Sequence, residues 1–196
     1  MAPSFFRLAQ INSGARLAKG KILVAVPELG DSNFAETVVL LTEYNEEGAM
    51  GIILNRPTRV KLSELLSRLE SIEQRDDPIF EGGPVERSEF LLLVRSLKPP
   101  EASHLIFGDV YLSSSADLLR RLAKETARQN APFRVYSGYA GWAAGQLEAE
   151  VEANAWYILP STSATVFAAR PEDLWEQLIR STTLRLADAL FSPPAA

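Results

Sequence analysis

The residues best suited to bind or react lie between Tyr136 and Glu148, in the sequence YSGYAGWAAGQLE. The order of residue types predicts a strand, a glycine-rich turn and then a helix that starts near Gln146. The free N–H groups and the positive dipole end of a helix N-terminus suit an anion. The alternative is structural: the glycines let the backbone turn sharply so that Tyr139 and Trp142 pack on the core.

Histidine and cysteine set limits on the chemistry. His104 is the only histidine, and the chain has no cysteine. A Ser-His-Asp centre would need His104, but the adjacent Ser103 lacks the G-x-S-x-G turn of such hydrolases. The absence of cysteine excludes thiol nucleophiles, disulfides and cysteine-based zinc or iron–sulfur sites. We therefore expect no catalytic residue of these kinds, no His- or Cys-based metal site and no cofactor.

A carboxylate-only metal site remains an alternative at this stage. Acidic residues lie near predicted strand ends, where they could bind magnesium or calcium. Solvated surface carboxylates explain the same pattern without a metal. The residues concerned are Glu28, Asp31, Glu43, Glu81 and Asp109.

Two further turns follow predicted strands. They are Asn55-Arg56-Pro57 and Gly82-Gly83-Pro84, and each could be a turn and nothing more. Ligand sites of α/β proteins often gather at strand exits, and the guanidinium of Arg56 suits a carboxylate or a phosphate. We therefore predict that both turns share one cleft with residues 138–146. The candidate ligand-binding residues are Asn55, Arg56, Gly82, Gly83, Tyr139, Gly141, Trp142 and Gln146.

The elements that must position these residues interleave along the chain. Strands are predicted at 21–26, 78–81, 89–95, 133–137, 156–159 and 164–168, with one bulged strand or two short ones at 105–113. Residues 37–54 predict a hairpin around Asn45–Gly48. Helices are predicted at 62–70, 116–129 and 146–153 and after Pro171, the third with Glu148, Glu150 and Glu152 directed outward. The early hairpin argues against a purely parallel sheet, so the pattern predicts an α+β fold.

Length and charge limit the organisation and the partners. The 196 residues suffice for one compact domain. We expect an N-terminal arm over 1–19, a single domain over 20–190 and a frayed tail over 191–196. The net charge of −5 disfavours direct nucleic-acid binding, and the basic side of the helix at 116–129 is most simply a solvated surface.

Targeting signals are weak. No apolar run approaches the ~20 residues of a membrane-spanning helix. The first 27 residues hold four basic residues, no acidic residue and no apolar segment typical of a secretory signal. We expect a cytoplasmic protein with no membrane association; a transit peptide is the open alternative.

Three sequence blocks resemble the YqgE/AlgH family of uncharacterised bacterial proteins. They are GAMGIILNRP at 48–57, GGPV at 82–85 and GYAGWAAGQLE at 138–148. The resemblance extends from about residue 20 to about residue 180. It implies an α+β fold with a strongly coiled, partly barrel-like, mixed or antiparallel sheet and flanking helices. In one lineage the members carry a transcriptional-regulator label, without an established molecular activity.

The chain departs from the family pattern at three positions. The family usually has histidine at the position of Tyr44, histidine at the end of the strand that here reads Val94-Arg95, and often proline at the position of Ala144. If those histidines serve chemistry, this chain lacks it. If they are packing groups, tyrosine and valine can replace them. These departures lower the expectation of an enzyme.

The leading function hypothesis is a cytoplasmic protein that binds a small anionic ligand or a partner protein. One alternative is transcriptional regulation, either directly or through a partner. The other is a carboxylate- or metal-dependent enzyme.

Overall fold

A computed structural model describes residues 15–66, 76–125 and 133–191. It confirms the α+β expectation: one curled half-barrel sheet with five flanking helices. The strands are β1 Lys21–Ala25, β2 Val38–Asn45, β3 Gly48–Ile53, β4 Pro57–Lys61, β5 Pro78–Glu81, β6 Val85–Arg95, β7 His104–Phe107, β8 Val110–Ser113, β9 Phe133–Ala143 and β10 Trp156–Pro160. The helices are α1 Leu62–Leu65, α2 Ala116–Glu125, α3 Gln146–Glu152, α4 Ser163–Val166 and α5 Leu174–Phe191, and a 3-10 turn spans Pro171–Asp173.

Strand β9 joins the two halves of the sheet. The order is β10-β1-β2-β3-β9-β6-β8-β7, with β5 lying between β4 and β9. Every pairing is antiparallel except that of β5 with β9. On one edge β9 pairs first with β5 and then with β3, and on the other edge it pairs with β6.

The sheet has apolar side chains on both faces, so its strands lack strict alternation. In β1, residues Ile22 to Ala25 are all buried. Ile22 and Val24 face the interior beneath α4 and α5, whereas Leu23 and Ala25 face α3. A third cluster packs α1 and α2 outside β6 and β9. Burial on both faces explains why β1 reads as a continuous apolar run.

The structure corrects the prediction for residues 138–146. The strand was expected to end at 137, but β9 continues to Ala143, and the turn before α3 consists only of Ala144 and Gly145. Residues 140–143 are held extended because they pair with Gly48–Gly51 of β3. Glycine content predicted a turn here, and a long-range strand pairing overrides it.

A second correction concerns residues 164–168, which were predicted as a strand. Residues Ser163–Val166 form α4, and the Thr162 hydroxyl caps the helix by accepting the Thr165 N–H at 3.1 Å. Arg134 of β9 donates to the carbonyls of Val166 and Ala168. The Thr162 cap and the guanidinium of Arg134, which is distant in sequence, therefore hold residues 163–166 as a helical turn.

The predicted hairpin and the predicted strand region at 105–113 both form. The hairpin turns at Glu46-Glu47, with Gly48 at a φ of +139°. Residues 105–113 form two strands, and His104 begins β7 instead of lying in the preceding loop. The domain boundaries stay predictions. Parts of four predictions lie outside the described residues. They are residues 1–14 of the arm, residues 192–196 of the tail and the ends of the first two predicted helices.

The chain crosses β9 at Gly82-Gly83-Pro84. Ser137 of β9 pairs with Glu81 on one edge and with Phe90 on the other, so the chain between them must pass over the strand. A Cβ on Gly83 would lie 2.2 Å from the carbonyl carbon of Tyr139. Gly138, at a φ of +70°, would place a Cβ 2.6 Å from the Gly83 carbonyl oxygen. The crossing therefore requires glycine on both backbones.

The crossing predicts a sharp contrast between two glycines. Gly83→Ala should lower the free energy of unfolding by about 3 kcal/mol, because the methyl group overlaps backbone atoms that cannot move aside. Gly141→Ala is the control, since its Cβ would lie 3.5 Å from the Tyr139 ring, an ordinary contact. It should change the stability by less than about 1 kcal/mol. Urea unfolding measures both, and equal losses would contradict the crossing as the constraint.

Candidate functional site

The side chain of Asn55 hydrogen-bonds to the loop between β1 and β2. Its side chain is 8 % exposed. Its Oδ1 accepts the Val38 N–H at 2.9 Å, and its Nδ2 donates to the Glu36 carbonyl at 2.9 Å. The two bonds satisfy backbone groups of a loop in which Glu36 has a φ of +55°. Asn55 therefore acts here as an internal clamp.

Arg56 holds the same loop from the other side. Its guanidinium donates to the carbonyl of Asn33 at 2.8 Å and to that of Ala35 at 3.1 Å. The planar fork of arginine suits two acceptors of fixed spacing. Two of its N–H groups are therefore used within the chain, which reduces what remains for an external anion.

Phe34 connects this loop to the tryptophans. It lies between the two residues that Arg56 binds, and its ring stacks on Trp142 at 5.7 Å with an interplanar angle of 21°. Its edge contact with Trp156 is also 5.7 Å. The structure therefore brings the Asn55-Arg56 turn and Trp142 to the same side of the sheet, linked by one aromatic ring.

Glu150 is the focus of the polar contacts on that side. Its Oε2 accepts the indole N–H of Trp142 at 2.9 Å and that of Trp156 at 2.8 Å. Its Oε1 accepts the Gln146 amide at 3.0 Å, and the Gln146 Oε1 in turn accepts the Ala143 N–H at 3.1 Å. The carboxylate thus satisfies two buried indoles and fixes α3 on the sheet.

Glu150 was not among the predicted site residues, because the helical pattern of 146–153 predicts that it points outward with Glu148 and Glu152. The four-residue spacing from Gln146 was a usable signal, since residues at i and i+4 share one helix face. Two tryptophans that need N–H acceptors were a second signal. The pairing of β10 with β1, which brings Trp156 close, could not be read from the spacing.

Glu150→Ala should destabilise the protein by about 2–4 kcal/mol, because it leaves two buried indole donors without their acceptor. The tryptophan fluorescence of the folded protein should also change. Glu152→Ala is the matched control: it lies on the same helix and is exposed, and its side chain has no bond to another described residue. If both variants unfold at the same urea concentration, the assigned role of Glu150 is wrong.

The two positions where the family usually has histidine make structural contacts here. The Tyr44 hydroxyl donates to Glu148 Oε1 at 2.6 Å. Val94 is buried, and Arg95 Nε binds Asp109 Oδ2 at 2.6 Å. The hydrogen bond from Arg95, followed by that from Ser163, lowers the pKa of Asp109. In this chain these positions link neighbouring elements.

The contact between Tyr44 and Glu148 predicts that the stability of the protein depends on pH. Its hydrogen bond to Glu148, with partial burial and the negative charge, raises its pKa above the ordinary value of 10.0. A group whose pKa is raised in the folded state stabilises the protein at any pH below its pKa in the unfolded state. This stabilisation is lost as the pH rises through its pKa in the folded state. The stability advantage over Tyr44→Phe should therefore be constant from pH 7 to 9, start to fall near the unfolded pKa of about 10 and be lost as the pH passes the raised folded pKa. Urea unfolding of both proteins at pH 7, 9 and 11 measures it; a constant difference at all three would contradict the assignment.

Tyr139 and Gly141 lie on the opposite face of β9 from Trp142, as strand alternation requires. Gly141 is exposed beside the Tyr139 ring. Tyr139 and Gly138 line an open cavity of about 540 Å³ together with Met50 and residues of β6. Of the eight predicted residues, Asn55, Arg56, Trp142 and Gln146 thus gather on one face, Tyr139 and Gly141 lie on the other, and Gly82 and Gly83 form the crossing between them.

The predicted strand-end carboxylates do not gather. Among residues 15–66, 76–125 and 133–191, no three His, Cys, Asp or Glu residues are placed to hold a metal ion. Asp109 is paired with Arg95, and Glu81 with Arg87 at 3.1 Å. None of the described helices is long and apolar enough to span a bilayer.

The chain is similar to known proteins over nearly its whole length. It matches the AlgH-like family over residues 22–187. A UPF0301 protein of Chlorobium luteolum is 35 % identical over 170 residues, which are 87 % of this chain and 88 % of that one. One of Cytophaga hutchinsonii is 36 % identical over 167 residues, covering 84 % and 90 % of the two chains.

Solved structures share the fold. The solution structure of the AlgH protein from Pseudomonas aeruginosa has a TM-score of 0.68 and 35 % identity, covering 91 % of this chain and 95 % of that one. A crystal structure of a Corynebacterium diphtheriae protein has a TM-score of 0.71 at 22 % identity, covering 87 % and 90 % of the two chains, and supports the fold alone. The curled half-barrel thus defines an AlgH-like fold. The chain belongs to the AlgH-like, UPF0301 family, which confirms the resemblance drawn from its three sequence blocks.

Proposed function

We propose that this AlgH-like protein acts in the cytoplasm by binding a partner protein in a groove beside Tyr139. The observation that carries the proposal is a pair of adjoining depressions along β6 and β9. One is the 540 Å³ cavity at Tyr139, and the other, of about 290 Å³, lies between β6, α1 and α2. Both are lined by Ser88, Glu89, Phe90 and Ser114, so they form one groove.

A bulge in β6 builds the wall of this groove. Val85 pairs with Tyr139, and Phe90 pairs with Ser137, so five steps along β6 correspond to two along β9. The bulged segment 86–89 is exposed, and Glu86 has a φ of +47°. A non-glycine residue in this conformation is strained, and such strain clusters at functional sites. The bulge supports the proposal because three of its four exposed residues, Glu86, Ser88 and Glu89, line the cavity.

The charges favour a protein over a small anion. The anion hypothesis depended on Arg56 and on the start of α3. Arg56 binds two backbone carbonyls, and α3 is only seven residues long. The charged residues at the cavity itself are Glu86 and Glu89, which repel an anion. A surface that combines apolar side chains with serines and glutamates suits a peptide segment.

The alternatives have less support. The basic side of α2 is partly neutralised, because Arg120 pairs with Asp117 at 2.7 Å and Arg121 with Glu101 at 2.8 Å. Direct DNA binding therefore has no specific observation in its favour. Regulation through a bound partner is one form of the function proposed here. A carboxylate-dependent enzyme lacks a cluster of acids among the described residues.

Two parallel screens test the proposal. A thermal-shift screen uses inorganic phosphate, nucleotides, dicarboxylates and divalent cations, and a displayed library of random 12-residue peptides is selected on the immobilised protein. We expect no rise in melting temperature with the small compounds and reproducible peptide selection. Tyr139→Ala should weaken the selected peptides about tenfold, since truncation of a central aromatic commonly costs more than 1 kcal/mol.

Leu184→Ala is the control, because Leu184 on α5 is 66 % exposed and lines neither depression. It should leave peptide affinity unchanged. Selection of no peptide, or a large stabilisation by a small anion, would overturn the proposal. So would peptides whose affinity survives Tyr139→Ala.

A further inference from the structure

Building on the proposed function, we infer that the partner segment carries a lysine or arginine close to an apolar residue. The groove has two chemically different parts. The acidic pocket is its cavity at Met50, Glu86, Glu89, Phe90 and Tyr139. The apolar pocket is its depression between β6 and the two helices, and it contains Leu65, Leu66, Leu92, Ala116 and Leu119.

The carboxylates of the acidic pocket are free to accept a partner. Glu86 and Glu89 are exposed, and neither has a side-chain hydrogen bond or ion pair with any other residue of the described chain. Arg87 lies between them in sequence, but its guanidinium is bound to Glu81. The two carboxylates therefore give the lining of the pocket a negative charge, which attracts a cation.

The walls of the acidic pocket suit the stem of a basic side chain. Tyr139 and Phe90 contribute rings, and Met50 contributes a polarizable thioether. Lysine and arginine lay their methylene groups on apolar surface and keep the charged head at a polar rim. A cation within about 6 Å of an aromatic face is also attracted by the ring. One basic side chain therefore matches both the walls and the rim.

The apolar pocket supplies the second part of the motif. Leu66, Leu92 and Leu119 are buried members of one core cluster, and the pocket opens between them. It suits a leucine or methionine side chain. Phe90 and Glu89 border both pockets. The two anchors therefore lie close together in the bound segment, about two residues apart if it is extended.

The test compares two pairs of acidic residues that carry the same charge. Peptides of 12 random residues are selected by display on the wild-type protein, resynthesised with a fluorophore and measured by anisotropy. We expect enrichment of lysine or arginine within about two residues of an apolar residue. Glu86→Gln with Glu89→Gln should weaken these peptides roughly threefold to tenfold, because exposed ion pairs contribute modestly.

The control is Glu46→Gln with Glu47→Gln at the tip of the β2–β3 hairpin, where both residues are exposed. It removes the same two charges from residues that line neither pocket, and it should change affinity less than about twofold. Raising the salt from 50 to 500 mM should weaken binding to the wild type and to the control, but much less to the groove variant. Circular dichroism melting of each variant establishes that it is folded.

The outcomes separate this inference from the function on which it rests. Selected peptides without basic enrichment, or equal losses in both double variants, overturn the inference. If such peptides still weaken with Tyr139→Ala, the partner-binding function stands while the basic motif is rejected. If no peptide is selected at all, the partner-binding function is rejected and the motif with it.

Discussion

The crossing of two backbones at Gly83 and Tyr139 is the constraint on which the rest of the structure depends. The chain pairs with one edge of β9 through β5, passes over it in contact, and pairs with the other edge through β6. The contact is so close that neither backbone tolerates a Cβ at Gly83 or Gly138. Because β9 also pairs with β3 beyond the crossing, one strand links both halves of the half-barrel.

The crossing also shapes the two faces of β9. On one face, Trp142 and Trp156 are held by Glu150 and covered by Phe34, and Arg56 fixes the loop that carries Phe34. These residues satisfy one another through hydrogen bonds and ring contacts. On the other face, the chain leaving the crossing bulges before it returns to register at Phe90. That bulge leaves Glu86 and Glu89 exposed beside an aromatic surface, without an ion pair to any described residue. The face with these available carboxylates is therefore the better candidate for recognition.

Much of the fold could be predicted from the sequence. Apolar β-branched runs marked β1, β2 and β3, the glycine after Asn45-Glu46-Glu47 marked the hairpin, and Pro171 marked the entry to the last helix. The three sequence blocks led to the AlgH-like family. The candidate site was predicted less well. Asn55 and Arg56 proved to bind their own chain, and the lining of the groove by Phe90, Glu86 and Glu89 was not foreseen. Ligand binding by the eight predicted residues stays a prediction. No local pattern distinguishes a bulged strand from a regular one when the pairing partner lies some 50 residues away.

The sequence by itself determined most of the element types, the α+β class, the family and the absence of thiol chemistry, because these depend on residue type and on short-range periodicity. Only the tertiary structure decided that Gly138 and Gly141 lie within a strand, that residues 163–166 form a helix, and that Glu150 faces two indoles. It also decided which faces Trp142 and Tyr139 occupy. The physical reason is that hydrogen-bond pairing and close backbone approach act between residues far apart in the chain, and they outweigh the local preferences of glycine and of β-branched residues.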